Sequence, residues 1–331
     1  MACGERIDGI LVVAKPSGMT SHDVVARVRR MTGEKRVGHA GTLDPDASGV
    51  LVVLMGRATS AMRFMLELSK AYRAEIVLGV VTDTHDASGR VVRVAEEVKV
   101  SEQLFREVLK GYEGEILQVP PMVSAVHHEG RRLYELAREG IEVEREPRRV
   151  TIYRADVESW PDGPIVPGSR ISVDVVCSSG TYIRQLAADV GESLGCGAHL
   201  GSLVRTRAGP FLLSSAHDLD EIAAAAKDGR IRDLVLPISA GLSHLPAVVV
   251  TGEDARRIAC GAPVEVPAGT CVRGTLPADD DPTFAGGGPF SERLEDLVRV
   301  HSDTGELLGV ARAEGAAEGR MRLRPLRMFV G

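Results

Sequence analysis

Strand-like and helix-like stretches follow one another along this chain without the regular alternation that builds a parallel sheet, and this irregular order most constrains its fold. Ile10 to Ala14 and Val50 to Met55 are apolar runs too short for helices. Turn chemistry at Lys15-Pro16-Ser17-Gly18 stops the first run, so both are predicted as buried strands. Between them Thr20 offers a helix cap with Asp23 three positions on, and Val24, Val25, Val28 and Met31 keep helical spacing until Gly33. Ala58 to Leu68 reads as helix. Ala71 to Leu78 reads as a strand with Tyr72, Ala74, Ile76 and Leu78 on one face, and Asp86-Ala87-Ser88-Gly89 as a turn. Ser101 caps a helix bearing Leu104, Phe105, Val108 and Leu109; Val119-Pro120-Pro121 forces extended backbone, and Arg131 to Glu139 reads as a short helix. Two strand-like runs, Val150 to Val157 and Arg170 to Cys177, precede a helix from Tyr182 to Leu194. Its apolar stripe of Ile183, Leu186, Ala187, Val190 and Leu194 is closed by Gly195. The expectation is an α+β core with a mixed, largely antiparallel sheet.

At 331 residues the default is two domains. Asp218 to Lys227 is helical in pattern, and beyond Leu236-Pro237 and Leu245-Pro246 the chain turns strand-rich: Val248 to Val250, Val264 to Val266, Leu297 to Val300 and Leu307 to Ala311, with one helix at Glu253 to Ala259. The boundary is therefore placed between residues 1–244 and 245–331. Pro277 to Ser291, acidic and full of Gly and Pro, is expected to be a mobile loop.

With 44% hydrophobic and 26% charged residues the composition is that of an ordinary soluble protein, and no apolar run approaches the ~20 residues of a membrane-spanning helix. Met1-Ala2-Cys3-Gly4-Glu5 lacks the basic flank and apolar core of a secretory signal, so a cytoplasmic protein with no membrane association is expected. Five cysteines without CxxC spacing argue against a disulfide framework and a zinc site; reduced thiols, no metal and no cofactor are expected. The net charge of −6 does not by itself suggest a nucleic-acid partner. Acidic residues nevertheless cluster late, at Asp279-Asp280-Asp281 and Glu292 to Asp296. Basic groups recur at Arg27 to Arg30, Lys35-Arg36, Arg131-Arg132, Arg148-Arg149 and Arg205-Thr206-Arg207, each read first as solvated surface charge.

The densest chemical signal is Arg36-Val37-Gly38-His39-Ala40-Gly41-Thr42-Leu43-Asp44-Pro45, continuing through Ala47 to Val50. Its glycines let backbone approach a ligand, and Pro45 fixes the chain beside a carboxylate that a loop between two rigid elements can present. Taken alone, a Gly/Asp/Pro loop is more often just a turn.

Gly38 to Pro45 resembles the catalytic motif of the TruB family of tRNA pseudouridine synthases. Lys15-Pro16-Ser17-Gly18-Met19-Thr20-Ser21 resembles the family's opening Lys-Pro motif, Lys70-Ala71-Tyr72-Arg73-Ala74 its Lys-x-Tyr segment, and Gly180-Thr181-Tyr182-Ile183-Arg184 its Gly-Thr-Tyr-Ile-Arg segment. Pro120 to Ala125 and Gly195 to Leu200 fall in the same order, so the likeness covers roughly residues 9 to 210. It implies a pseudouridine synthase core with Asp44 as catalytic carboxylate, Arg184 as its ionic partner and Tyr72 stacked on the target uracil. It further implies that His39 fills the space of a flipped base, Lys15 supports the loop and Leu203 lines the pocket. An insertion at about 118–149 would grip RNA through Arg131 and Arg132, although His127-His128-Glu129-Gly130 departs from the family's lysine-containing pattern. The C-terminal part resembles, more weakly, a PUA-type RNA-binding module. The implied substrate is the T arm of tRNA, modified at uridine 55 without an obligatory protein partner. Alternatives are a guide-dependent synthase acting on ribosomal RNA, and an RNA-binding or tRNA-folding protein.

Overall fold

The computed structural model describes residues 6–124, 127–128, 130–133, 136, 139–141, 143–267, 270–272, 296–315 and 319–330, apart from the side chains of residues 127, 128, 132, 271 and 272. In chain order the strands are β1 (Gly9–Lys15), β2 (Val37–His39), β3 (Ser48–Met55), β4 (Lys70–Leu78), β5 (Val80–Thr82), β6 (Val91–Val94), β7 (Gly114–Gln118), β8 (His127–His128), β9 (Arg131–Arg132) and β10 (Arg148–Ser159). They continue as β11 (Arg170–Cys177), β12 (Ala198–Ala208), β13 (Phe211–Leu212), β14 (Val235–Leu236), β15 (Ala247–Val250), β16 (Val264–Pro267), β17 (Cys271–Val272), β18 (Leu297–Ser302), β19 (Leu307–Gly315) and β20 (Arg320–Met328). The α-helices are α1 (Ser21–Thr32), α2 (Met62–Leu66), α3 (Glu102–Lys110), α4 (Ile183–Ser193), α5 (Leu219–Lys227) and α6 (Gly252–Ala259).

The residues group into two compact units. One comprises Met1–Pro45, Gly49–Leu68 and Arg207–Gly331; the other comprises Asp46–Ser48 and Ser69–Thr206. In the first unit, β1 runs antiparallel to β3 from Gly9 opposite Met55 to Lys15 opposite Gly49, with β14 on the other edge of β1 and β2 on β3. Both faces of this pair are covered. Ile10, Val12, Val50, Val52 and Leu54 enter a core with Phe64, Met65 and Leu242, while Leu11, Val13, Leu51, Val53 and Met55 meet Val24, Val25 and Val28 of α1 and Ile222 of α5. Double coverage is why these strands read as unbroken apolar runs rather than as alternating ones. Helix α1 starts at the expected cap: the Thr20 side chain accepts from Asp23 N, Asp23 answers at the Thr20 backbone, and Gly33 closes the helix with φ 71°.

The same unit holds the strand-rich C-terminal part, a sheet ordered β16-β20-β19-β18-β15-β17 in which β15 and β18 are parallel. Val248, Val250, Val298, Val300 and Leu323 form its core with Ile258 of α6. The expected loop from Pro277 to Ser291 lies outside the described residues.

The second unit is built on strands in the order β12-β4-β11-β10-β7. Tyr72 stands opposite Val175 and Ala74 opposite Val173 across the antiparallel β4–β11 pair. Ala74, Ile76 and Leu78 enter its core with Phe105 of α3 and Ile183, Leu186, Ala187 and Val190 of α4, and Tyr72 packs at its margin. The α+β expectation, with mixed and largely antiparallel strands, matches the fold.

Several local expectations need correction. Ala58 to Leu68 is not one helix: a 3-10 segment at Gly56–Ala61 leads into the short α2. Arg131 and Arg132 lie in a strand paired with His128 and His127 rather than in the expected helix, whereas Leu133 and Leu136 beyond them are helical; residues 134, 135, 137 and 138 fall outside the described set. The long strand β12 and the hairpin β5–β6 have no counterpart in the sequence reading. Arg205 and Arg207, read as surface charge, are buried, because β12 carries them inward.

Candidate active site

Asp44 sits half-buried in the loop between β2 and β3, and the backbone is anchored on both sides of it. The buried Ser21 hydroxyl accepts from Leu43 N at 2.9 Å and donates to Leu43 O at 3.1 Å. Beyond Asp44, the Pro45 carbonyl accepts from Gly18 N at 2.9 Å and from the Lys15 ammonium at 3.0 Å. Lys15 is buried at the end of β1 and also donates to Pro16 O at 2.9 Å, so it is no solvated turn lysine. Its ammonium thus donates to two backbone carbonyls, one of them that of the residue following Asp44. Gly41 at φ 101° and Gly49 at φ 105° adopt the left-handed backbone on either side of the loop that other residues resist.

His39, at the end of β2, meets the His22 ring edge-on at 5.9 Å between centroids. A Cβ at Gly38 would lie 2.8 Å from the terminal methyl of Met62, which would have to shift to admit it.

In the second unit Arg184, the second residue of α4, is only 3% exposed although it is a cation near a helix start. Two devices hold it. Gln118, buried at the end of β7, brackets the residue before α4, accepting from Tyr182 N at 2.7 Å and donating to Tyr182 O at 3.1 Å. The guanidinium itself donates to Val123 O at 2.8 Å and Thr84 O at 3.4 Å, and lies 3.4 Å from the Asp86 carboxylate. Asp86 is in turn fixed by Thr84 Oγ1 at 2.6 Å and by the Ser88 backbone N at 3.0 Å. The intervening His85 takes φ 63°, the one left-handed non-glycine conformation among the described residues, and its carbonyl accepts from Leu200 N at 2.9 Å. Tight turns tolerate such strain where the surroundings over-determine them.

Tyr72 and Leu203 are both partly buried and pack against the core cluster that contains Ile183. Arg131 is exposed on the short β8–β9 hairpin and pairs with Glu139. The backbone of Arg132 pairs with His127, and its side chain lies outside the described set.

Ser21, Asp86 and Gln118 join the site without having stood out in the sequence as functional residues. Asp86 was visible as a second acid in Thr82-Asp83-Thr84-His85-Asp86-Ala87-Ser88-Gly89, which carries more side-chain hydrogen-bonding groups than a turn needs. Nothing local marks Ser21 or Gln118, whose partners are 22 and 64 residues away. Among the described residues no group of three His, Cys, Asp or Glu side chains is placed to hold a metal ion, and no helix is long and apolar enough to cross a membrane.

An ionisable carboxylate on a doubly anchored loop, and a buried arginine fixed from two sides, are the parts needed to stabilise charge at a carbon centre without a redox group. Comparison with known proteins gives the family. Residues 29–183 match the TruB family pseudouridylate synthase N-terminal domain, and residues 184–243 match the tRNA pseudouridylate synthase B C-terminal domain. The chain is 46% identical over 318 residues to tRNA pseudouridine synthase B of Moorella thermoacetica, covering 96% of this chain and 97% of that one. It is 51% identical over 256 residues to the protein of that name from Symbiobacterium thermophilum, covering 77% and 83%. Among solved structures it resembles a chain of a Cbf5-Nop10-Gar1 complex, with TM-score 0.72, 26% identity and coverage of 97% of this chain and 85% of that one. A chain of an H/ACA RNP bound to a substrate RNA containing 2'-deoxyuridine gives TM-score 0.69 at 25% identity, covering 98% and 85%.

Proposed function

Because the chain belongs to the TruB family of pseudouridylate synthases, we propose that it converts uridine to pseudouridine in tRNA, at position 55 of the T loop, with Asp44 as catalytic carboxylate. The observation that carries this reading is the anchoring of Leu43 and Pro45 around Asp44, which fixes a carboxylate between two rigid strands. Near-full-length relatives named tRNA pseudouridine synthase B support tRNA as the substrate. The reaction breaks the bond from uracil N1 to ribose C1′ and makes one from C5 to C1′; C5 loses a proton and N1 gains one, so the product is an isomer.

A stacked uridine must leave the loop before a carboxylate reaches it, and opening that space has an energetic cost of a few kcal/mol. His39 occupies the vacated space, Tyr72 stacks on the uracil, contributing ~1–3 kcal/mol as such contacts do, and Leu203 lines the pocket. Arg184 keeps Asp44 ionised and oriented when the substrate is bound, and Lys15 stiffens the loop through Pro45. Residues 1–244 carry catalysis, with the segment about 118–149 gripping the RNA through Arg131 and Arg132, and residues 245–331 act as a PUA-like RNA-binding module. The enzyme works in the cytoplasm on the T arm, reading loop shape and splayed bases, without a guide RNA or an obligatory protein partner.

The test is pseudouridine mapping of an unmodified tRNA transcript after incubation with the purified protein alone and with Asp44→Asn. Pseudouridine at the T-loop uridine with the wild type, absent with the variant, is the expected result. An unchanged transcript with the wild type sinks the reading and favours a guide-dependent enzyme or a binding protein.

A further inference from the structure

Helix α4 starts without the means to fix its own first turn. Its N-cap residue is Tyr182, whose side chain does not cap the helix, whereas a Ser, Thr, Asp or Asn there would accept from a backbone N–H of the first turn. That turn nevertheless carries the Arg184 cation as its second residue, at the end where the helix dipole disfavours positive charge. A group outside the helix therefore has to set its direction.

Gln118, 2% exposed at the end of β7, does so. Its amide oxygen accepts from Tyr182 N at 2.7 Å and its amide nitrogen donates to Tyr182 O at 3.1 Å, a paired contact like that between two strands. Tyr182 N can only donate and Tyr182 O only accept, which fixes the orientation of the amide. Tyr182 O also accepts the first helical hydrogen bond, from Leu186 N at 3.1 Å, so Gln118 grips the residue from which the helix grows.

The surroundings separate orientation from mere attachment. The turn before α4 is tied to β10 without Gln118: Ser178 N donates to Thr151 O at 2.8 Å, and Ser178 Oγ accepts from Thr151 N at 2.9 Å. Thr181 Oγ1 closes that turn on Ser178 O at 3.0 Å. Losing the Gln118 amide thus leaves the turn attached and removes a two-point clamp two residues before Arg184. Further along the same segment, Val123 O accepts from the Arg184 guanidinium at 2.8 Å, and the intervening Pro120 and Pro121 are buried. One short stretch, stiffened by two prolines of fixed φ, holds both the start of the helix and the tip of its arginine.

We propose that Gln118 is a positioning residue: by clamping Tyr182 it sets the direction in which α4 presents the Arg184 guanidinium. The proposal rests on the reading in which Arg184 keeps Asp44 ionised and oriented, and adds to it a residue that is too shielded to touch a bound RNA. Acting through Arg184, the loss of Gln118 slows the chemical step and leaves RNA binding alone.

The experiment uses the full chain with Gln118→Met, which fills the same space with neither hydrogen bond, and Gln118→Glu, which as a carboxylate keeps an acceptor for Tyr182 N and loses the donor. Kinetics on an unmodified tRNA transcript give kcat and KM, with Arg184→Lys as reference. Nitrogen-detected NMR, assigned with that same variant, follows the Arg184 Nε–H signal without substrate. In Gln118→Met the expected fall in kcat is roughly 10–100-fold, the scale on which a misplacement of about 1 Å acts. KM should stay within about twofold, as for an interaction made only in the transition state. The Arg184 signal should shift or broaden, and Gln118→Glu should lose less activity than Gln118→Met. An unmoved Arg184 signal, an unchanged kcat, or a loss confined to KM overturns the proposal and leaves Gln118 a packing residue. If Gln118→Met does not fold, Gln118→Glu judges it by the same readouts. Wild-type kcat in Arg184→Lys overturns the proposal together with the role given to Arg184. A wild type inactive on tRNA sinks the uridine reading alone, and the NMR signal then decides for or against Gln118.

Discussion

Arg184 lies 3.4 Å from the Asp86 carboxylate while donating at 2.8 Å to the Val123 carbonyl, so a nearly buried cation is held by a strained turn and an extended segment as well as by its own helix. A buried charge needs such partners, because a single lost one leaves it uncompensated.

Asp86→Asn keeps the oxygen that accepts from Thr84 and Ser88 but removes the charge facing Arg184. Losing the carboxylate charge that faces this nearly buried guanidinium, at about the 1.5–3 kcal/mol of a charged contact, predicts a fall in kcat of roughly 10–100-fold. Single-turnover kinetics on tRNA checks this: KM should change little, and an unchanged kcat removes Asp86 as the positioning residue of Arg184.

Ser21→Ala deletes both contacts to Leu43 and leaves the Leu43 N–H buried without its partner. The expected loss of stability is about 1–3 kcal/mol by urea denaturation. Pseudouridine formation should fall as well, because Asp44 is the next residue; full activity in the variant means that the loop does not need this anchor.

Asp189 gives a pH prediction. Burial pushes its carboxyl up from 3.8, although the hydrogen bond from Gln185 and the nearby His85 pull it down. With the folded value above the unfolded one, its contribution is fully present below 3.8 and is lost as pH rises through the folded value. Asp189→Asn, neutral at every pH, should therefore be more stable than the wild type near pH 7, with the difference shrinking as the pH falls towards 3.8. Melting curves from pH 4 to 7 measure it, and a constant difference across that range contradicts the assignment.

The thiols should differ in reactivity. Cys177 is buried, and burial pushes it up to about 12, whereas Cys260 is exposed. Iodoacetamide at pH 8, read by mass spectrometry, should modify Cys260 readily and Cys177 only after denaturation. Equal labelling of the two in the folded protein would show that the core around β11 opens.

How much of this was legible beforehand depended on the range of the interactions. The α1 cap, from Thr20 to Asp23 and on to Gly33, is local chemistry and appeared where its residues predicted. The doubly covered strands β1 and β3 announced themselves as apolar runs, and the stripe on α4 marked its buried face. Strand β12 escaped notice because its burial alternates irregularly and it carries two arginines that a sequence pattern assigns to water. The division between catalytic and C-terminal parts at residue 244 rested on the Leu-Pro pairs and the strand-rich pattern beyond them, and the grouping into compact units follows contacts that a local pattern does not encode.

The sequence by itself determined the α+β class, the order of the motifs and the presence of Asp44 in a glycine-rich loop, because propensity, capping and hydrophobic period act over a few residues. Only the tertiary structure decided that Lys15 gives its charge to the Pro45 carbonyl, that Ser21 clasps Leu43, and that Asp86 rather than solvent faces Arg184. Those contacts join residues 22 to 98 positions apart, and a buried polar group takes whatever partner the packed chain brings within 3 Å or so.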